Sequence, residues 1–243
     1  MKLATFETAG RRRLGLVVGQ EILDLNTADA GLPSDMLRLL EMEDAGLAAV
    51  TIAARSAARL PLDTVRLLAP VVPRKLMALG INYREHIAEM KSRIPGFEPP
   101  AEQVWFNKQV TSVNGPFDPM HKPKVSDMFD YEGELAIVIG KRCRHVPVEK
   151  AAEVIAGYMI CNDASVRDWQ MATPTQTMGK SFDTHAPIGP WITTSDEVPD
   201  PQALQITVWV NDEERQNFST GDMVFSCHQQ VAHLSNPSYS PAG

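Results

Sequence analysis

Short apolar runs, broken by turn residues, mark the first seventy positions. "KLATFE", "RLGLVV" and "EILDL" predict three short strands. Gly19-Gln20 predicts a hairpin turn between the second and third. The stretch "SDMLRLLEMEDAGLAAVTIAARSAARL" predicts helix, with Ser34 or Asp35 as its N-cap and Gly46 as a point where it can break. "VRLLAPVVPRK" then reads as a strand running into a proline-punctuated linker. The expected organisation is a small α+β domain over residues 1–72 and a second, mainly β domain over 73–243. The whole chain is therefore expected to be α+β.

The remainder is strand-rich. "KLMALG", "VWFNKQ", "YMICND" and "GPWITT" predict strands. "LQITVWVNDEERQNF" predicts a hairpin turning at Asn211-Asp212. "NYREHIAEMK", "EKAAEVIAGY" (with Pro147 near its first turn) and "ASVRDWQM" predict helices. "VFSCHQQVAHLS" predicts an amphipathic helix, but His228 and His233, five apart, fall on different faces and do not form a two-histidine metal site. "RIPGFEPPAEQ" is a proline-rich loop long enough to move. The chain shows neither an internal repeat nor a low-complexity segment.

Composition narrows the function classes. A hydrophobic share of 44% across 243 residues is enough for a sizeable core, and the formal charge is −7. The basic triplet Arg11-Arg12-Arg13 reads as a solvated turn, so nucleic acid is not an expected partner. No apolar run approaches the roughly 20 residues of a membrane span, and "MKLATFETAG" does not read as a secretory signal. Three widely spaced cysteines, Cys143, Cys161 and Cys227, favour reduced thiols in a cytoplasmic protein.

The chemistry concentrates in "DYEGELAIVIGK", residues 130–141. Leu135 to Ile139 form an unbroken apolar run, the pattern of a strand covered on both faces. Asp130, Glu132 and Glu134 precede it at a spacing of two, which places three carboxylates on one face of a strand. Two readings fit. The residues are solvent-facing at a strand edge, or they gather a hard divalent cation such as Mg²⁺, which favours carboxylate oxygen. Asp163, at the end of "YMICND", can supply a third ligand beside Glu132 and Glu134. Asp130 itself reads as a turn residue that starts the strand.

Four segments occur in order: "GINYREHIAE", "DYEGELAIVIGK", "GYMICNDASVRDWQ" and "GKSFDTHAPIGPWITTSDE". Together they resemble the fumarylacetoacetate hydrolase family, in its bacterial form with a small N-terminal domain, over roughly residues 70–235. The resemblance implies a mainly β catalytic domain, a cytoplasmic homodimer, and Mg²⁺ or Mn²⁺ held by Glu132, Glu134 and Asp163.

His86 and Glu89, three apart on an expected helix, share a face, as either a surface ion pair or a tuned base. The resemblance makes His86 the general base toward water and Glu89 its orienting partner, on a segment that orders over the substrate. It makes Lys180 a cation that stabilises an enolate. It places Arg167 and Gln170, otherwise two polar residues on a helix surface, on substrate oxygens, an arginine fork being suited to a carboxylate. Lys108 is a further candidate substrate contact. His185 is expected behind the site or at the surface, and Asn82 and Tyr83 are expected to shape the loop before His86.

The activity implied is metal-dependent hydrolysis of a C–C bond in a 2,4-dioxo acid, giving a carboxylic acid and a 2-oxo acid. The alternative is an isomerase or decarboxylase of unsaturated 2-hydroxy or 2-oxo diacids in aromatic catabolism. A third reading is a metal-binding protein without catalysis. It rests on the tail "NPSYSPAG", where the family pattern continues into Pro-Gly-Asp and Thr-Gly-Thr-Pro. A strand and a loop beside the substrate are expected to be missing there, with lower stability and activity as the consequence.

Overall fold

The computed structural model of the chain describes residues 1–236. Chain order begins with β1 (Lys2–Thr8), β2 (Arg11–Val18) and β3 (Glu21–Asp24), followed by three short helices, α1 (Leu25–Ala28), α2 (Met36–Leu40) and α3 (Glu43–Ala53). β4 (Ala58–Pro61), β5 (Arg66–Leu67) and β6 (Leu76–Gly80) come next, then α4 (Arg84–Arg93). β7 (Val104–Lys108), β8 (Val113–Asn114), β9 (Phe129–Asp130), β10 (Gly133–Ile139), β11 (Ile155–Asn162) and β12 (Ser165–Val166) precede α5 (Arg167–Met171). β13 (Ala186–Thr194), β14 (Gln205–Val210), β15 (Glu213–Ser219) and α6 (Cys227–Ser235) complete the described residues.

One large sheet runs β10-β11-β13-β1-β2-β3-β4, with β5 added beside β1 and β8 beside β13. It crosses residue 72: Lys2 and Leu3 of β1 pair with Thr193 and Ile192 of β13. A division there separates two stretches of chain within one hydrogen-bonded sheet. The core spans it as well. Leu3, Leu14, Leu25, Met36, Leu39 and Val50 pack in one cluster with Val138, Met159, Ile188 and Ile192. Two smaller ladders, β6-β7 and β14-β15, stand apart from this sheet, and a third, β9-β12, lies at the acidic end of β10.

Several elements depart from the periodicity reading. Arg11–Arg13 are not a turn but the start of β2, in register with Phe6–Thr8 of β1. The expected helix over 34–60 is two helices and a strand. It breaks at Glu43, where φ is +50°, and not at Gly46. Gly46 instead permits close packing, because a Cβ there would lie 2.4 Å from the Leu39 carbonyl oxygen. Asp35 is the N-cap of α2, accepting from the Arg38 amide. The apolar run 135–139 packs on both faces, Ala136 and Val138 against one core cluster and Leu135, Ile137 and Ile139 against a second, although β10 is the edge strand of its sheet. "EKAAEVIAGY" forms 3₁₀ turns over Val148–Val154, and the residues after them belong to β11. The hairpin at Asn211-Asp212 forms as expected, both residues having positive φ. α6 carries a capping box between Ser226 and Gln229. The tail beyond Asn236, on which the expectation of a missing strand rests, lies outside the described residues.

Leu3 is fully buried where the two stretches share their core. Leu3→Ala is expected to lower stability by about 2–5 kcal/mol, as for other buried leucines. Denaturant unfolding followed by two probes checks it. A loss under about 1 kcal/mol, below that range, would mean that β1 does not anchor the common core.

Candidate functional site

The antiparallel register of β10 and β11 places the carboxylates. Gly133 pairs with Asn162 and Glu134 with Cys161. The Asp163 amide donates to the Glu132 carbonyl at 2.8 Å, and the Glu132 amide donates to Asn162 Oδ1 at 3.0 Å. Glu132, Glu134 and Asp163 are thereby held at one end of two neighbouring strands. Asp163 is only 5% exposed, which demands a counter-charge.

Two lysines meet that demand. Lys180, 2% exposed, places Nζ 2.5 Å from Glu132 Oε2 and 2.9 Å from Asp163 Oδ2. The same ammonium lies 5.0 Å from the centre of the Phe106 ring, a cation–π distance. Lys108, 1% exposed at the end of β7, places Nζ 2.6 Å from Asp163 Oδ1 and donates to the Ala164 carbonyl at 3.2 Å. Asp163 Oδ1 is thus satisfied by an ion pair with Lys108. Burial alone would raise the Asp163 carboxyl, but Lys108 and Lys180 outweigh it and hold the group below its usual range. Burial lowers Lys108, with Asp163 opposing the shift. Among the described residues no lysine or arginine forms an ion pair with Glu134, although the Lys180 charge acts on it. Burial first, then the charges of Glu132 and Asp163, push its carboxyl up to about 8.

Lys180 can reach this point because of its neighbour. A Cβ on Gly179 would lie 2.1 Å from the Gln170 amide nitrogen, so only glycine lets the two backbones touch. The Val166 amide donates to the Gly179 carbonyl at 2.8 Å and ties the same approach.

Arg167 and Gln170 share one face of α5, but the contacts of Arg167 are internal. Its Nε and Nη2 donate to Asp130 Oδ2 at 2.9 and 2.6 Å. Its Nη1 donates to Glu132 Oε1 and, at 3.0 Å, to Gln170 Oε1. Arg167, expected to face substrate oxygens, is engaged within the protein in this structure. Asp130, read as a turn residue, is a partner of the cluster; the signal for it was its place in the same two-residue spacing. Lys108, read as a substrate contact, lies instead against Asp163. His185 is not at the surface: it is fully buried between Phe129 and Phe182, its Nε2 3.0 Å from the His121 carbonyl.

His86 Nδ1 lies 3.3 Å from Glu89 Oε2 on α4, both side chains about half exposed, and Glu89 also pairs with Arg93 at 2.9 Å. No hydrogen bond or ion pair joins His86 or Glu89 to the carboxylates among the described residues. The loop before α4 is fastened elsewhere: Asn82 exchanges hydrogen bonds of 2.9 and 3.0 Å with the Phe225 backbone. Tyr83 packs edge-on against Phe218.

Comparison with known proteins places this geometry. The model of the fumarylacetoacetate (FAA) hydrolase C-terminal family matches residues 75–243. The chain belongs to the fumarylacetoacetate hydrolase family. Among its curated relatives, a mitochondrial oxaloacetate tautomerase of Rattus norvegicus is 38% identical over 90% of this chain and 69% of its own length. A putative hydrolase of Burkholderia multivorans is 39% identical over 97% of this chain and 81% of its own. Among solved structures, the maleylpyruvate hydrolase of Sphingobium sp. SYK-6, in complex with manganese(II) ion and pyruvate, superposes with a TM-score of 0.82 at 36% identity. It covers all of this chain and 86% of that one. A 5-carboxymethyl-2-hydroxymuconate delta-isomerase of Mycobacterium smegmatis superposes with a TM-score of 0.77 at 29% identity, over all of this chain and 85% of that one. The mainly β, sheet-dominated fold is that of the family. No described helix is long and apolar enough to cross a membrane.

Among the described residues, no group of three or more His, Cys, Asp or Glu side chains is placed to hold a metal ion. The donor set still fits a hard divalent cation. Three carboxylates lie near the ends of two strands, and positive charge already stands against two of them, Lys180 between Glu132 and Asp163 and Lys108 on Asp163.

The raised Glu134 carboxyl gives a pH dependence with a definite sign. A folded value of about 8 against an unfolded value of 4.5 means that the folded state holds its proton more tightly. Stability is then lost as pH rises from 4.5 through 8. With divalent metal chelated, Glu134→Gln is expected to melt higher than the parent above pH 8. The gain should run at about 2–4 °C per kcal/mol recovered and vanish at acidic pH. Equal melting curves at all pH values would show that Glu134 is solvated.

Proposed function

We propose that this protein is a divalent-metal-dependent hydrolase acting on a C–C bond of a 2,4-dioxo acid, with Glu132, Glu134 and Asp163 as the residues that hold Mg²⁺ or Mn²⁺. The observation that carries this reading is the buried carboxylate cluster with the Lys180 and Lys108 ammonium groups turned into it. The relatives support the substrate class: one crystallised with manganese and pyruvate, and others are named for oxaloacetate tautomerisation. A cation at this cluster would supply Lewis-acid stabilisation of negative charge on the 2-oxo acid oxygens.

The chain's own groups do the rest. Glu89 accepts the Nδ1 proton of His86, leaving Nε2 free as the base. His86 takes a proton from water, and the hydroxyl oxygen bonds to the carbonyl carbon remote from the carboxylate. The C–C bond breaks, and its electron pair forms the enolate of the 2-oxo acid. Lys180 donates a hydrogen bond to that enolate, whose carbon then takes the proton that His86 removed from water, leaving His86 neutral again. The homodimer implied by the family resemblance belongs to the same proposal.

A second reading is keto–enol tautomerisation or isomerisation of a 2-oxo diacid. It is favoured by the half-exposed position of His86, since it needs the cluster and Lys180 but no activated water.

Turnover of acylpyruvates, fumarylpyruvate, oxaloacetate and an unsaturated 2-hydroxy diacid, with Mg²⁺ or Mn²⁺ present, separates these readings. Hydrolysis is expected, and it should stop on chelation. His86→Ala should lower its kcat on the order of 10²-fold or more while Mn²⁺ binding stays unchanged. Turnover of oxaloacetate or the hydroxy diacid alone, insensitive to His86→Ala, would replace hydrolysis by the second reading. Mn²⁺ binding without turnover of any substrate would favour a non-catalytic protein.

A further inference from the structure

Arg167 has an unusual allocation of donors for a residue beside an anion-binding cluster. A guanidinium carries five N–H groups. Four are taken: Nε and one on Nη2 by Asp130, and both on Nη1 by Glu132 and Gln170. Only one N–H on Nη2 is free. Gripping a carboxylate as a fork needs two parallel donors, and neither edge of Arg167 offers them.

The source of this arrangement is Asp130. β9 and β12 form a ladder of two residues that sets Asp130 opposite Ser165 and Phe129 opposite Val166. The Arg167 amide donates to the Met128 carbonyl at 2.9 Å, and Ser126 Oγ donates to Asp168 Oδ1 at 2.7 Å. The segment 126–130 is thus fastened along the start of α5. A helix of five residues has little stability of its own, so its orientation comes from such contacts. Asp130 then fixes the guanidinium side-on, and Nη1 can point only toward Glu132 and Gln170.

We propose that Asp130 is a positioning residue that makes Arg167 an internal strut between a metal-holding carboxylate and the substrate-facing amide, and not a free anion clamp. The inference rests on the function proposed above for Glu132 and Gln170. Two consequences follow from the geometry. The Glu132 carboxylate is held from two sides, with Oε1 on Arg167 and Oε2 on Lys180. The Gln170 amide is locked against flipping, because its Oε1 is spent on Arg167 and its Nε2 reaches Gln176 Oε1 at 3.3 Å. The second Nε2 hydrogen of Gln170 is then presented in a fixed direction.

Asp130 and Arg167 are 41% and 32% exposed, and a pair at that exposure adds little to stability. Asp130→Asn should therefore stay folded. The test compares parent, Asp130→Asn and Asp130→Glu by Mn²⁺ titration without substrate, and by ¹⁵N NMR of the Gln170 side-chain amide. Asp130→Asn is expected to weaken Mn²⁺ binding about 10–100-fold, the usual cost of losing an outer partner of a metal ligand. It should also move the Gln170 amide signals toward those of a solvated glutamine. Asp130→Glu should restore most of both. If Asp130→Asn unfolds, Asp130→Glu with parent-like Mn²⁺ affinity and amide signals supports the strut, and altered ones overturn it. Unchanged affinity and unchanged amide signals in a folded Asp130→Asn overturn it too. A parent that binds no Mn²⁺ would refute the proposed function, and the Gln170 signal alone would then decide the role of Asp130.

Discussion

A carboxylate that is 95% removed from solvent cannot stay charged without a cation beside it, and Asp163 is such a group. Much of the site follows from that constraint. Lys108 arrives from β7, part of the separate β6-β7 ladder, and Lys180 arrives from the loop before β13. Each ammonium is almost fully buried, so each lysine depends on Asp163 as much as Asp163 depends on it. Removing either partner would leave an uncompensated buried charge, which costs far more than the pair contributes. The cluster therefore draws three separate parts of the chain to one point.

The sheet supplies the rigidity this needs. The β10-β11 register fixes Glu132, Glu134 and Asp163 relative to one another, and β11 is flanked on its other side by β13. β1 binds β13 in turn, so the N-terminal strands stand behind the strands that carry the carboxylates. The remaining elements are small and are held by specific contacts. α5 is fastened by Ser126–Asp168 and Asp130–Arg167, and the Lys180 loop is admitted by Gly179. α4 has no buried residue but is held at its start, where Arg84 donates to the Asp222 and Met223 carbonyls and the Glu85 amide to Asp222 Oδ2; among the described residues no hydrogen bond or ion pair joins its His86–Glu89 pair to the cluster.

The family hosts a hydrolase, an isomerase and a tautomerase on this frame. In the reading proposed here these reactions share one need, a 2-oxo acid held as its enolate, and they differ in which proton or carbon is handled next. The floor of carboxylates and lysines serves the shared step. The position of His86 and the polar walls formed by Gln170 and its neighbours bear on the step that differs. Fold alone does not choose among them.

The sequence by itself determined the strands of strong period, the Asn211-Asp212 hairpin and the four ordered motifs that carry the family. These are local: alternation, turn chemistry and motif spacing act over a few residues. It also put Glu132, Glu134 and Asp163 within reach of one another, because two consecutive antiparallel strands bring their ends together. It did not show that β10 lies at the sheet edge, since an apolar run reads the same whether a neighbour covers it or not. It did not separate α2, α3 and β4, whose residues are all compatible with helix until Glu43 and β3 decide otherwise. Only the tertiary structure decided how the charges are shared. Lys108 is 55 residues from Asp163 and Arg167 is 37 from Asp130, and no local pattern specifies such pairings. Burial makes them necessary, and burial is a property of the packed chain.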